Sequence, residues 1–546
     1  AAMAQARLLL AVAVAAAALA PAPAGCFTPV APDESAVLRE EVRSMFWHTH
    51  DGYMRHAFPL DELRPLSCEG TDTLGGYALT LLDSLDTMAL MGNHSAFAEA
   101  VGWVGRNVNF DSDVTVSLFE TNIRVMGGLL SAHLLAAGEG GAGARVAGYR
   151  GELLDLALDL GHRLLPAFDT PTGIPYGSVN LRTGVPRQET RITSTAAGGT
   201  LTLEFGVLSR LTGDPSFEAA ARKSVRGIWE RRSELDLVGG HIDVFTGQWT
   251  HHDAGVGTSI DSFYEYLLKS YLLFGDEEDL RMFERAYGAA ERHLRREPWY
   301  IEVNMHNGAT VWPVFNSLQA FWPGLQALFG DVQKAVRTHR AFFGVWQQYG
   351  YTPEGYNLAK QAAQPGQKSY PLRPELAEST YLLYKATGDP GYLAVGREMV
   401  TSLQRLRTPC GFAMVADVTT AELTDSMESF FLSETLKYLY LLMDAGAQGH
   451  NLVDGGLKQY VFTTEGHLLP ITPQLSALDR RVDSSEEGRK PAKGRARPQP
   501  APGAPTSPLL PMRWLLGLDR AAEDGEEEGG GAGGGAGGAP RSPHSS

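Results

Sequence analysis

The stretches LSRLTGDPSFEAAARKSV (208–225) and LYKATGDPGYLAVGREMV (383–400) share one plan: an apolar helical run, Thr-Gly-Asp-Pro, then a second helical run. Glycine ends a helix because it accepts the left-handed conformation, and Asp or Asn caps the next one. The same junction recurs at Gly92-Asn93, Gly275-Asp276 and Gly330-Asp331, and less regularly at Gly138 and Asp444-Ala445-Gly446. The marks 92, 138, 213, 275, 330, 388 and 444 are spaced by 46 to 75 residues, one helical hairpin per interval. Seven hairpins stack either as an open solenoid or as a closed (α/α) barrel. Cys68 and Cys410 bracket most of the repeats, and a bond between them would tie the first region to the last. The reading is therefore all-α: an (α/α)7 barrel over residues 36–470.

The chain has 546 residues, 43% of them hydrophobic, with a net charge of −16. That is globular, and it argues against nucleic acid or an anionic membrane as a partner. Arg7, the apolar run from Leu8 to Ala20 and Ala22-Pro23-Ala24 read as a signal peptide over 1–24. The run is too short to span a bilayer, and no other stretch reaches that length. Of the three cysteines, Cys26 lies at the expected cleavage point; Cys68 and Cys410 could pair in an oxidising lumen. Asn93-His94-Ser95 is a glycosylation sequon. Residues 471–546 turn Pro- and Gly-rich and are expected to be disordered. They end in SPHSS, which is not an ER-retention signal.

A second regularity is chemical. YPLRPELAESTYLLY (370–384) opens an apolar helix with Arg373, Glu375 and Glu378, behind a proline suited to a first turn. SLFETNIRVMGGLL (117–130) places Glu120 and Arg124 four apart, and VGTSIDSFYEYLLKSYLLF (256–274) does the same with Asp261 and Glu265. TDSMESFFLSETLKYLYLL (424–442) carries Glu428 and Glu434, and LTLLDSLDTMALMG (79–92) carries Asp83 and Asp86. GYTPEGYN (350–357) holds Glu354, and YVFTTEGHLLP (460–470) holds Thr464 and Glu465. Singly, each acid could be a cap or the partner of a neighbouring cation. In an (α/α) barrel, however, successive inner helices start at one rim, so acids at several starts converge. Crowded carboxylates need a cation or protons to offset their charge. An oxygen-rich set without a Cys/His cluster selects a hard cation, calcium first. Paired carboxylates around a cavity suit glycoside hydrolysis, with one as proton donor and another as base or nucleophile. There is no His-Glu-x-x-His, Gly-x-Ser-x-Gly or phosphate loop. His48, His50, His251 and His252 lack further ligands at metal spacing.

FETNIRVMGGLLSAHLL (119–135), GVGTSIDSFYEYLLKSYLLFGD (255–276), YPLRPELAESTYLLYKATGDP (370–390), MESFFLSETLKYLYLL (427–442) and FTTEGH (462–467) resemble the class I α1,2-mannosidases, glycoside hydrolase family 47. Within it they are most similar to the ER degradation-enhancing α-mannosidase-like branch. HAFPLDELRPLSCEGTDTLGGYALTLLDSLDT (56–87) resembles that branch's second vertebrate type. The resemblance implies a barrel plugged by a C-terminal β-hairpin that sets Thr464 on calcium. It implies inverting removal of α1,2-linked mannose from high-mannose N-glycans on misfolded glycoproteins, in the ER lumen. Glu120 would be the acid and Glu375 the base, with Asp261 and Glu354 also catalytic. Asp86, Arg124, Arg373, Glu378, Glu428 and Glu465 would hold substrate. Cys68 and Cys410 would pair, and a thioredoxin-like ER oxidoreductase would be a further partner. Ser194 stands where relatives often carry cysteine, and the tail holds none. The alternative is a catalytically weak, lectin-like glycan binder serving the same disposal route.

Overall fold

The computed structural model describes residues 28–139, 144–454 and 459–476. Helices alternate between an outer and an inner layer. They are α1 (Pro32–His56), α2 (79–90), α3 (His94–Asn107), α4 (118–137), α5 (Glu152–Leu164), α6 (195–212), α7 (Ser216–Trp229), α8 (Asp261–Phe274), α9 (Glu277–His293), α10 (317–329), α11 (Val332–Tyr349), α12 (Glu375–Thr387), α13 (Gly391–Gln404) and α14 (431–446). Odd-numbered helices lie outside and even-numbered ones line the interior. Their sequences dictate the split. The outer α5 buries one stripe, Leu153, Ala157, Leu160 and Leu164, and keeps its charges on the other face. The inner α8 is buried nearly all round, Glu265 and Lys269 included.

Helices α6 and α12 end at Gly213 and Gly388, with φ of 80° and 67°, and each glycine amide donates to the carbonyl four residues back. The quoted junctions are thus the tight inner-to-outer turns at one rim. The Asp444 mark falls inside α14, whose helix continues through Gly446. The inner helices begin at the opposite rim, where the longer returning connections are pinned by short two- and three-stranded sheets.

The ring closes on itself. On α14, Met443 O accepts from Ser35 Oγ of α1 at 2.8 Å, and Asp444 pairs with Arg39 at 2.9 Å. Ser433 Oγ of α14 donates to Asp83 of α2 at 3.1 Å. The Cys68–Cys410 disulfide adds a covalent closure across 342 residues.

A β-hairpin, Tyr460–Phe462 paired antiparallel with Leu468–Pro470, rises inside the barrel from the tight-turn rim. Its tip is clamped by inner helices. Lys437 Nζ of α14 donates to Gly466 O at 2.6 Å, and Lys269 Nζ of α8 to Thr463 O at 3.5 Å. His467 sits 3.1 Å from Asp83 and 3.4 Å from Asp86 of α2.

The packed chain is slightly longer than expected. Helix α1 starts at Pro32 rather than 36. Beyond 470, the turn Pro473–Ser476 buries Leu475, whose carbonyl accepts from Arg210, because an apolar side chain there finds the end of α6. The expected disordered tail therefore does not begin at 471. Its remainder, 477–546, and the expected signal peptide, 1–24, lie outside the described residues. No helix among the described residues is long and apolar enough to cross a membrane.

Candidate active site

The acids sit where the inner helices begin. Ser117 Oγ caps α4 by accepting the Glu120 amide at 3.3 Å. Residues Thr121–Met126 then form a widened π turn, as do Phe431–Thr435 in α14. Such turns re-aim side chains and concentrate at functional sites. Helix α8 begins at Asp261, and α12 at Glu375 behind Pro374.

These starts surround a cavity of about 380 Å³. Seven carboxylates line it, Glu120, Asp261, Glu265, Glu375, Glu378, Glu434 and Glu465, against two guanidinium groups, Arg124 and Arg373. Thr464 at the hairpin tip is part of the wall, and Phe119 and Phe430 offer apolar faces. Both arginines lie over the Phe430 ring, at 5.4 and 6.0 Å from its centroid.

Each cation holds several acids. Arg124 bonds Glu120 at 2.9 Å and Glu428 at 3.3 Å, and lies 3.6 Å from Glu465. Arg373 grips Glu354 through two hydrogen bonds of 2.7 and 2.9 Å and stands 3.7 Å from Glu375. Lys269, buried, donates to Glu265 and lies 3.6 Å from Glu378. Burial outweighs this compensation. It pushes the Asp261 and Glu375 carboxyls up to about 7, with neighbouring carboxylates adding to the effect. Burial likewise raises Glu378, Glu434 and Glu465.

Most of the expected site residues come together here. Glu354 and Glu428 stand behind the wall, each holding an arginine that lines it. Asp86 does not reach the cavity, contrary to the expectation that it holds substrate. Its side chain is fully buried beneath the hairpin, accepting from Lys437 at 3.0 Å, Leu468 N at 3.0 Å and Ser131 Oγ at 3.1 Å. Asp83, three residues earlier and on the same side of the helix, is likewise buried and meets His467 of the hairpin at 3.1 Å. Asn93 caps α3, its Oδ1 accepting the Ala96 amide at 3.1 Å, with its side chain partly exposed.

Glu265 and Glu434, read in the sequence as acids of the converging set but given no role there, line the cavity. One acid escaped the sequence reading, and its signal was a charge embedded in a buried run. It is Glu204, in TLEFGVL. It accepts from Asn122 at 2.9 Å and from Tyr266 OH at 2.6 Å, and the Tyr266 oxygen accepts the Thr464 amide at 3.4 Å.

Among the described residues, no group of three His, Cys, Asp or Glu side chains forms a ready-made metal cage. A cation here would instead use Thr464 oxygens, with the carboxylates one step removed. The buried Glu465 Oε1 has no hydrogen-bond partner, and the donors are all oxygen. That set fits a hard cation.

The sequence model described as glycosyl hydrolase family 47 matches residues 45–471. The chain belongs to this family. Among family 47 relatives, alpha-mannosidase I MNS4 of Arabidopsis thaliana is 64% identical over 448 residues, 82% of this chain and 72% of that one. The ER degradation-enhancing alpha-mannosidase-like protein 2 of Homo sapiens is 47% identical over 473 residues, 84% and 81% of the two chains. The alpha-1,2-mannosidase from Trichoderma reesei superposes with a TM-score of 0.71 at 27% identity, covering 80% of this chain and 99% of that one. The family 47 fold is the (α/α)7 barrel described above.

Proposed function

We propose that this family 47 chain, a mannosyl-oligosaccharide 1,2-α-mannosidase, trims high-mannose N-glycans on misfolded glycoproteins in the ER lumen and so promotes their ER-associated degradation. The observation that carries the reading is the convergence of seven carboxylates and two arginines on the Thr464-bearing tip. Glu120, steadied by Arg124, gives its proton to the glycosidic oxygen as the bond to the anomeric carbon breaks. Glu375 takes a proton from the water that attacks that carbon, and the configuration inverts. Its raised pKa suits a base working near neutrality. Asp261 adds negative charge beside an oxocarbenium-like transition state. Glu354 fixes Arg373 and through it the Glu375 carboxylate. Glu378, Glu428 and Glu465 complete the sugar-facing or arginine-holding shell.

Thr464 would hold calcium through its hydroxyl and carbonyl oxygens. When bound, calcium supplies ligation for sugar hydroxyls and offsets the local negative charge. The names of the relatives support the ER setting, and Asn93 would carry a glycan there. The two cysteines among the described residues are paired, so a thioredoxin-like partner would have to exchange with that bond or use Cys26.

The test is release of free mannose from a high-mannose oligosaccharide by the wild type, with and without a chelator, and by Glu120→Gln. Loss of a general acid should slow release by roughly 10²–10⁴-fold. Undiminished release by Glu120→Gln overturns its role. A wild type that binds glycan but releases no mannose replaces the enzyme with the lectin-like alternative.

A further inference from the structure

A second cavity, of about 400 Å³, opens beside the first and shares His241 and Ser259 with it. One side is a small sheet in which residues 302–304 pair with 310–312 and with Asp253-Ala254. The register puts Glu302 opposite Trp312, and Asn304 opposite Asp253. Directly opposed residues share a face, as do residues two apart along a strand. Glu302, Trp312 and Asp253 therefore project together, while Val303 and Ala254 fill the core behind them. Trp312 is 44% exposed, against near-complete burial for Trp299 and Trp322. Among the described residues, neither Asp253 nor Glu302 forms an ion pair.

An exposed indole flanked by uncompensated carboxylates is not a folding requirement. It is a surface that presents an apolar plate with hydroxyl acceptors at its edge. A pyranose has the complementary form: one face of C–H groups and a rim of hydroxyl donors. Gln367 on the same cavity adds an amide group that bonds hydroxyls in either sense, while the Asn316 amide beside it is engaged with the Leu318 and Glu354 backbone. Two macromolecular occupants compete, a glycan and an unfolded apolar polypeptide. The acids favour the glycan, because burying Asp253 and Glu302 beneath apolar side chains leaves them without hydrogen bonds.

We infer that this rim cavity is an outer sugar subsite: Trp312 stacks on a hexose from a second branch of the same glycan whose terminal residue occupies the acidic cavity. This rests on the proposed mannosidase reading for the identity of the glycan. Its direct test, however, is binding.

Calorimetric titration would compare a protein-free branched high-mannose oligosaccharide with α1,2-mannobiose, which fills the acidic cavity alone. Trp312→Ala should weaken the branched sugar about tenfold, the effect of losing one aromatic contact, and leave the disaccharide within twofold. Trp312→Phe, which keeps a stacking face, should stay within about threefold on both, and so guards against simple misfolding. Equal affinity of wild type and Trp312→Ala for the branched sugar overturns the subsite, as does an equal loss on both sugars. Weakened binding of a reduced, glycan-free polypeptide with unchanged glycan affinity also overturns it, in favour of the polypeptide. Mannose release by the wild type is scored separately. Its absence would fail the enzymatic reading while leaving the binding comparison interpretable.

Discussion

Replacing Asp86 by Asn keeps the shape and removes one buried charge. In the native structure that carboxylate offsets Lys437 at 3.0 Å and protonated His467 at 3.4 Å, and accepts the Leu468 amide. After substitution, Lys437 keeps the Gly466 carbonyl but no carboxylate. Breaking a buried pair on one side costs about 3–5 kcal/mol. Unfolding entropy of about 2.1 cal/mol/K per residue over residues 32–476 totals roughly 0.9 kcal/mol/K, so Tm should fall by about 3–5 °C. The assay is thermal unfolding followed by calorimetry at pH 7. The double variant Asp86→Asn, Lys437→Met should recover at least half the loss, because it removes the stranded cation as well. An unchanged Tm combined with weaker glycan binding would refute this account and return Asp86 to the substrate pocket. So would a double variant whose losses simply add.

Three further outcomes follow from the same geometry. His467 is held at a pKa of about 9 by Asp86 and Asp83, despite burial. Its folded pKa exceeds its unfolded one, so its contribution is complete below about pH 6.5 and disappears as pH rises through 9; the stability of wild type to denaturant should fall over that window more than that of His467→Gln, and parallel curves would contradict it. Cys68→Ser should lower stability by about 2–5 kcal/mol, and equal melting of oxidised and reduced wild type would contradict a closing role for the bond. Glu354→Gln removes the anion that fixes Arg373, so kcat should fall about tenfold or more with little change in KM; a change confined to KM would place Glu354 in ground-state sugar binding instead.

The repeat was legible because helix stops are local chemistry. Gly213 and Gly388 announce themselves without reference to anything distant. Acids at helix starts were legible for the same reason, and the barrel's geometry then made them converge. What sequence could not show was that Asp83 and Asp86, in one apolar run, both meet the hairpin and not the cavity. The choice between cavity and hairpin depends on which tertiary neighbours each meets. Glu204 was hidden differently, since a lone buried acid shows its purpose only through Tyr266 and Thr464, at long sequence distances. The Trp312 face was invisible because two-residue and three-residue strands carry too few positions to show alternation.

The hairpin has one more consequence, in time rather than space. Residues 460–470 are among the last of the barrel to leave the ribosome, yet they bring Thr464 and Glu465 to the centre. All seven inner helices can be synthesised while the middle of the ring still lacks its core. A growing chain therefore carries its acids but no finished site. The site is complete only with the final strands in place, where Lys437, Lys269 and His467 hold them. The last segment to be made is thus the one that completes the site.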